Sequence, residues 1–379
     1  MRYLIERESR TRYESPVREH HVMLRVAPCS DAQQQVHACS LNVEPATEQP
    51  ASHRDGFGNL IHRFAIMAAH EYLTTRLDAE VETRLANPFD FVPLAPARER
   101  DWLRHSLREA PRLWDFLVSR GSMTQAIPEA LGAARAPVYD PAARLFDQAQ
   151  GAMTWVRSFC ELDPEWDEPY PDPATVLERR RGSAGDLSHL LIAVVRGWGV
   201  PARYAVGYVD SGYFEPDEAD TEADLGPRPQ SLHAWAEILI PGAGWRGLDP
   251  AFGLLANDTY VRVAVGRDAS DVVGERAVFK GDARDTETRI TVHVTRTPLT
   301  RPDGSFRGSV SVMHDASDLR AMQERLREQE RLAAVGQLAT TVAHEIKNPL
   351  AGIRGACEIM ERGYEDGEPK KELAQEVLA

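Results

Sequence analysis

A histidine and an aspartate lie on two segments that are patterned as neighbouring strands. His233 belongs to SLHAWAEILI, Asp249 lies in WRGLDP, and the turn PGAG joins the two segments. An imidazole held by a carboxylate can accept a proton from a nucleophile, because the carboxylate fixes the imidazole tautomer. When the nucleophile is a thiol, the three groups form a Cys–His–Asp triad. In such a triad the thiol sits at the N-terminus of a helix, where the helix dipole lowers its pKa.

A candidate for that helix begins within RGSAGDLSHLL, at residues 181–191. The apolar residues that follow have the three- and four-residue spacing of one buried face, namely Leu187, Leu190, Leu191, Val194, Val195 and Trp198. The residues at the helix start are Gly182, Ser183, Ala184 and Gly185, so no thiol is present. Ser183 points about 100° around the helix from its neighbour, and its hydroxyl is far less acidic than a thiol.

A second histidine of interest, His344, lies in ERLAAVGQLATTVAHEIKNPLAGIRGACEIM. One helical face there is apolar and consists of Val335, Leu338, Ala339, Val342 and Ile346. His344 falls on a polar face, and Glu345 beside it can hold the second ring proton. Pro349 predicts a kink in this helix, shortly after His344. Taken alone, a surface histidine of this kind is usually only solvated, so the local pattern leaves that interpretation open.

The composition argues against several classes of partner and predicts where the protein is located. The 379 residues carry a formal net charge of −14, which argues against nucleic acid or an acidic membrane face as the main partner. No apolar run reaches the ~20 residues of a membrane span, and MRYLIERESRTRY lacks the apolar stretch of a signal peptide. The four cysteines form no CxxC pair, which favours reduced thiols. These features predict a cytoplasmic protein without a membrane span.

The elements that position these groups divide the chain into six segments. They are a β-rich region (1–84), a helical connecting region (85–150), a mixed core (151–284), a β hairpin (285–315), a helical linker (316–334) and a helical hairpin (335–379). Period-two alternation supports the first segment, and the apolar spacing that begins at Leu319 predicts a coiled coil or bundle. The predicted fold class is therefore α+β, in several domains.

Three strings in the core carry a resemblance to a known family. RGSAGDLSHLLIAVVRGWGVPARYAVGYV, HAWAEILIPGAGWRGLDP and VRVAVGRDASDV resemble the bacterial transglutaminase-like superfamily, which includes amide-cleaving and amide-exchanging enzymes with a papain-like core. The opening region, with DGFGN and NPFDF, resembles the β-rich region that often precedes that core. The resemblance implies that His233 is the base, that Asp249 orients it, and that Ala184 occupies the position of the nucleophilic cysteine.

The methyl group of Ala184 cannot form a thioester, which closes the acyl-transfer route. Cys160 lies too far upstream to match the motif and fits a helical core position. We therefore predict an inactive domain that is retained to bind a peptide or amide-like ligand. Three alternatives remain open: an engineered replacement of a natural cysteine, rescue by another residue, and a purely structural role for His233 and Asp249.

The string LAAVGQLATTVAHEIKNPLAGIRG resembles the H-box of sensor histidine kinases, in which this helix belongs to a dimerising all-α hairpin. The resemblance implies that His344 is the phosphoacceptor and that Glu345 assists proton transfer. Asn348 would serve phosphoryl chemistry or contact with a response regulator. ATP with Mg²⁺ would be bound by a nucleotide lobe whose motifs are missing from these 379 residues. We therefore expect the front part of a longer kinase, with a truncated hairpin and no cofactor site in this chain.

The segment TRTPLTRPDGSFRGSVSVMHDASDLRAMQERL resembles the closing strands and exit helix of a PAS domain, so 285–315 could be a PAS remnant. It could equally be the last hairpin of the upstream domain. The combined prediction is a two-component histidine kinase with a transglutaminase-like sensory domain. The first alternative is a transglutaminase-like cysteine peptidase or amide transferase, should Ala184 replace a natural cysteine. The second is an interaction scaffold in which His344 is never phosphorylated.

Overall fold

The computed structural model describes residues 1–118, 121–127, 136–163, 170–210, 232–283 and 286–297, and the backbone of 312–315. The predicted linker (316–334) and phosphoacceptor hairpin (335–379) lie outside the described residues. No helix within the described part of the chain is both long enough and apolar enough to cross a membrane.

The first elements are β1 (Arg2–Leu24), β2 (Gln34–Glu44), β3 (Ala51–Arg54), β4 (Leu60–Ile66), β5 (His70–Thr83) and α1 (Pro96–Glu109). They are followed by α2 (Leu145–Phe159), β6 (Glu161–Leu162), α3 (Pro173–Arg179), β7 (Arg181–Gly182) and α4 (Ala184–Gly197). The remaining elements are β8 (Ala202–Val209), β9 (His233–Ile240), β10 (Gly244–Asp249), β11 (Leu254–Leu255), β12 (Tyr260–Gly266), β13 (Glu275–Lys280), β14 (Thr286–Thr297) and β15 (Val312–Asp315).

The long strand β1 organises the N-terminal β region. Its first half pairs antiparallel with β5 and β14, and its second half pairs with β4 and β13. The register shifts between the two halves, and Glu19 adopts a positive φ of 47°. Alternate side chains near the start, such as Tyr3 and Ile5, are fully buried, as a period-two pattern requires. The predicted β-rich N-terminal region is confirmed.

The core is a five-stranded sheet with the order β11-β10-β9-β8-β12, against which α4 packs. Every residue of α4 from Gly185 to Arg196 is buried, because α2 and α3 cover the helix where the sheet does not. The predicted stripe that includes Leu187 and Leu191 is part of this core. The predicted mixed α and β core is therefore confirmed, with α4 as its central helix.

Two side-chain amides, here called the amide clamps, join the N-terminal β region to β12. Gln34 Nε2 donates to Arg262 O at 2.7 Å, and Arg262 N donates to Gln34 Oε1 at 2.9 Å. Asn59 makes the same two-way contact with the backbone of Val265, with both distances at 2.8 Å. Because β12 is an edge strand, these backbone groups would otherwise lack strand partners. The clamps therefore satisfy part of the edge of the core sheet with side chains from the N-terminal β region.

The structure shifts two of the predicted segment boundaries. The boundary between 150 and 151 falls inside α2, whose buried face packs in the same cluster as α4. The predicted core runs to 284, but β13 pairs with β1 and so belongs to the N-terminal β region. Both shifts have one physical reason: periodicity identifies an element without identifying the element that it packs against.

The predicted hairpin at 285–315 contains two paired strands. Strands β14 and β15 are antiparallel, with Ile290 opposite His314. Strand β14 also pairs with β1 over Arg2–Tyr13. Of the two interpretations given above, this pairing supports the last hairpin of the upstream domain, because the strand is hydrogen-bonded into that domain's sheet.

Candidate functional site

Helix α4 begins with a capping box. Ser183 is the N-cap residue, and its Oγ accepts a hydrogen bond from Asp186 N at 3.2 Å while it lies 2.7 Å from Asp186 Oδ2. These bonds commit the Ser183 hydroxyl to the cap, which leaves it unsuited to act as a nucleophile. Ala184 is the first residue of the helix. A thiol at this position would meet the positive end of the helix dipole.

Gly185 allows the start of α4 to lie against two aromatic rings. A Cβ at this position would lie 2.6 Å from Tyr204 Oη and 2.6 Å from Tyr170 Cε1, so only glycine fits. Burial raises the pKa of both tyrosines, and their hydroxyls therefore stay neutral. The glycine thus fixes the position of the helix start relative to the core.

His189, which the sequence analysis did not consider, has a packing role. Its ring stacks on Tyr204 with centroids 4.5 Å apart, and its Nε2 accepts a hydrogen bond from Ala269 N at 3.1 Å. Burial, reinforced by the nearby Arg196, lowers the pKa of His189 to about 3. The imidazole therefore stays neutral at physiological pH.

The first residue of β9, His233, meets the last residue of β10, Asp249. His233 Nε2 lies 2.6 Å from Asp249 Oδ2, and both side chains are buried. The carboxylate accepts three further hydrogen bonds, from Tyr260 Oη at 2.9 Å, Ala251 N at 3.0 Å and Phe252 N at 3.2 Å. Four donors therefore hold one carboxylate in place.

The imidazole of His233 is also held through its ring face. Phe252 stacks on it with centroids 4.6 Å apart, and Trp235 lies at 6.4 Å with a nearly parallel ring. Because a carboxylate only accepts hydrogen bonds, Nε2 carries the ring proton that faces Asp249. Nδ1 is then the nitrogen of the neutral ring that can act as a base.

Ser188 connects the start of α4 to the strand that carries His233. Its Oγ lies 2.7 Å from Ala184 O and 3.4 Å from Ala234 O, the carbonyl of the residue after His233. The structure thus brings the predicted positions Ala184, His233 and Asp249 into one neighbourhood. That neighbourhood contains the paired imidazole and carboxylate, but only a methyl group at the helix start.

Cys160 is not placed to supply the missing thiol. It caps the C-terminus of α2, is buried, and has its Sγ 4.0 Å from Val176 O. Burial raises the pKa of its thiol to about 11, so the reactive thiolate does not form at physiological pH. Its core position agrees with the sequence-based expectation.

An ion-pair network that no sequence pattern revealed braces β9, the strand that carries His233. Glu237, also on β9, lies 2.6 Å from Arg203 Nη2 and 2.9 Å from Arg262 Nη1. Burial alone would raise the pKa of Glu237, but the two guanidinium groups outweigh it and hold the pKa at about 2. Arg262 also pairs with Asp31, which extends the network into the N-terminal β region. The sequence indicates only that His233 and Glu237, four residues apart on one strand, lie on the same face of the sheet.

Within the residues that the structure covers, no group of three or more His, Cys, Asp or Glu side chains could hold a metal ion. The other predicted site residues, His344, Glu345 and Asn348, lie outside those residues. Their roles remain predictions.

Family models match three stretches of the chain, in the predicted order. Residues 3–82 match the bacterial transglutaminase-like N-terminal region, and residues 134–250 match the transglutaminase-like superfamily. Residues 334–379 match the His Kinase A (phospho-acceptor) domain. The chain therefore carries a transglutaminase-like region followed by a histidine kinase phosphoacceptor domain.

Individual relatives fit this division. The uncharacterized protein ML0607 of Mycobacterium leprae is 27% identical over 290 residues, which cover 75% of this chain and 95% of that protein. The signal transduction histidine-protein kinase AtoS of Escherichia coli is 34% identical over 77 residues, or 20% of this chain and 13% of the kinase. A crystal structure of a candidate cysteine protease from Cytophaga hutchinsonii has a TM-score of 0.50 at 17% identity and covers 82% of this chain and 96% of its own. The last similarity shows a shared fold.

Proposed function

We propose that this chain is the front part of a cytoplasmic signal-transduction histidine kinase and that its transglutaminase-like region is the sensory domain. The order of the three family matches and the similarity to AtoS support this proposal. In it, the transglutaminase-like region binds a ligand and the phosphoacceptor domain carries the output.

One observation carries the sensory role: the His233–Asp249 pair is intact beside a helix that begins with Ala184. A base without a nucleophile cannot form an acyl intermediate. The site still offers an imidazole and the positive end of α4, and both suit a carbonyl or amide group. The proposed ligand is therefore a peptide or an amide-like molecule that is bound without being cleaved.

His344 is the proposed phosphoacceptor. Glu345 would assist removal of its ring proton, and Asn348 would serve phosphoryl transfer or contact with the response regulator. A nucleotide-binding lobe would supply ATP and Mg²⁺, and the phosphoacceptor hairpin would form a homodimer. Residues 316–334 would transmit the ligand-bound state, because a connecting helix can shift a helical bundle between two packings.

The experiment supplies the 379-residue chain with labelled ATP and the nucleotide-binding lobe of a histidine kinase in trans. We expect an acid-labile, base-stable phosphate on the unmodified chain and none on His344→Gln. His293→Gln, on β14, is the matched control and should retain the label. Equal labelling of His344→Gln and the unmodified chain would contradict the proposed phosphoacceptor. Absence of label from both, with an active lobe, would favour the scaffold.

The intact pair also favours a second candidate, a transglutaminase-like peptidase or amide transferase whose natural residue at position 184 is cysteine. Turnover of amide and ester substrates, or a trapped thioester, with Ala184→Cys separates the two. The sensory proposal expects neither, and the enzyme candidate expects both. Turnover by the unmodified chain that His233→Ala abolishes would instead favour an enzyme with a nucleophile elsewhere in the site.

A further inference from the structure

A small cavity lies between the N-terminal β region and the core sheet. Its volume is about 20 Å³, which is enough for one water molecule. The polar residues that line it include Gln33, Gln34 and Thr83 from the N-terminal β region and Trp235, Asn257 and Tyr260 from the core. The cavity is therefore polar on both sides.

Trp235, which lines this cavity, carries an unsatisfied donor. Its side chain is 1% exposed, and its Nε1 has no hydrogen-bond partner among the described residues. An indole N–H can only donate, and a buried donor without an acceptor is unfavourable. By contrast, Trp198 Nε1 donates to Pro137 O at 2.8 Å.

Gly247 lies close to this donor and has no side chain there. A Cβ at Gly247 would lie 3.1 Å from Trp235 Nε1 and 2.5 Å from Ala256 Cβ. Because Gly247 and Trp235 both line the cavity, the backbone of this glycine forms part of the cavity wall near the indole N–H.

We propose that this cavity binds one water molecule, which accepts a hydrogen bond from Trp235 Nε1. Buried waters make about three hydrogen bonds, and Gln33, Thr83 and Asn257 offer polar groups for the others. The water holds the indole that packs edge-on against Tyr260, with centroids 5.2 Å apart. Tyr260 in turn donates to Asp249. The water therefore helps to fix the position of the His233–Asp249 pair indirectly, through Trp235 and Tyr260. This inference does not depend on the proposed signalling function.

NMR of the full chain, labelled with ¹⁵N at its seven tryptophans, tests the proposal. Trp235→Phe and Trp198→Phe assign the two indole resonances. A long-lived bound water gives cross-peaks to an indole proton that have opposite signs in NOE and ROE spectra. We expect such cross-peaks for Trp235 and none for Trp198. Their absence at Trp235, or cross-peaks of equal sign that arise from proton exchange, would overturn the proposal.

Gly247→Ala locates the water. Its methyl group would crowd Trp235 Nε1 at 3.1 Å and press against Ala256, which changes the cavity wall. The cross-peaks of Trp235 should therefore disappear while the Trp198 resonance stays in place. Cross-peaks that persist in a folded Gly247→Ala protein would overturn the assignment to this cavity. The spectra of the unmodified chain decide the proposal by themselves if this variant does not fold.

Discussion

His233 Nε2 and Asp249 Oδ2 lie 2.6 Å apart in a site whose helix begins with an alanine. The pair is buried, and the other three donors to the carboxylate come from Tyr260 and two backbone amides. The pair therefore keeps the geometry that the proposed base would need, while the helix start carries a methyl group. In the proposed function, such a site recognises a ligand and leaves it unchanged.

Replacing Asp249 should be costly to stability. Asp249→Asn should lower the free energy of unfolding by about 3–5 kcal/mol, because a buried amide cannot accept all four hydrogen bonds. Urea denaturation measures the loss. Asp101→Asn, at a side chain that is 75% exposed, is the control and should change the value by less than about 0.5 kcal/mol. Similar values for the two variants would contradict the buried hydrogen-bond arrangement.

Glu237 should make stability depend on acid pH. Its pKa is about 2 in the folded chain and 4.5 ordinarily, so the unfolded chain binds the proton more tightly. The resulting stabilisation is fully present above about pH 5 and is lost as the pH falls towards 2. Its size is on the order of 3 kcal/mol.

Urea denaturation at several pH values checks this dependence. Glu237→Gln should flatten the acid slope of the free energy of unfolding, whereas Glu6→Gln, at a side chain that is 55% exposed, should leave the slope unchanged. An unaltered slope in Glu237→Gln would show that the network does not hold the carboxylate ionised.

The amide clamps should be specific stabilising contacts. Asn59→Ala leaves both backbone groups of Val265 without their partner and should cost about 2–4 kcal/mol. Asn42→Ala, on the exposed face of β2, should cost less than about 0.5 kcal/mol. Amide hydrogen exchange at Val265 should also accelerate in Asn59→Ala. Unchanged exchange there would contradict the clamp.

Two glycines in helices should respond to alanine with opposite signs. Gly151→Ala in α2 meets nothing within 4 Å and should raise the free energy of unfolding by about 1 kcal/mol. Gly185→Ala places its Cβ 2.6 Å from Tyr204 Oη and should lower it by about 1–3 kcal/mol. Thermal unfolding of the two variants makes the comparison. A stabilised Gly185→Ala would mean that α4 does not begin against the tyrosines.

The sequence predicted those parts of the site that local patterns encode. The apolar stripe identified α4, and the strand patterns placed His233 and Asp249 on β9 and β10, which a short turn forces together. Tyr260 was missed because it reaches Asp249 from β12, and local periodicity does not specify which strands lie side by side. The clamp between Gln34 and Arg262 spans 228 residues, so no local pattern could reveal it.

The thiol pKa of the Ala184→Cys variant is the most direct measurement of the central claim that Ala184 occupies the place of a nucleophile beside a working base. The pH dependence of alkylation at residue 184, followed by peptide mass spectrometry, gives this pKa. We predict a value well below the ordinary value of about 8.5, and a return towards it when His233→Ala is added. A thiol at residue 184 that titrates near the ordinary value with or without His233 would contradict the account.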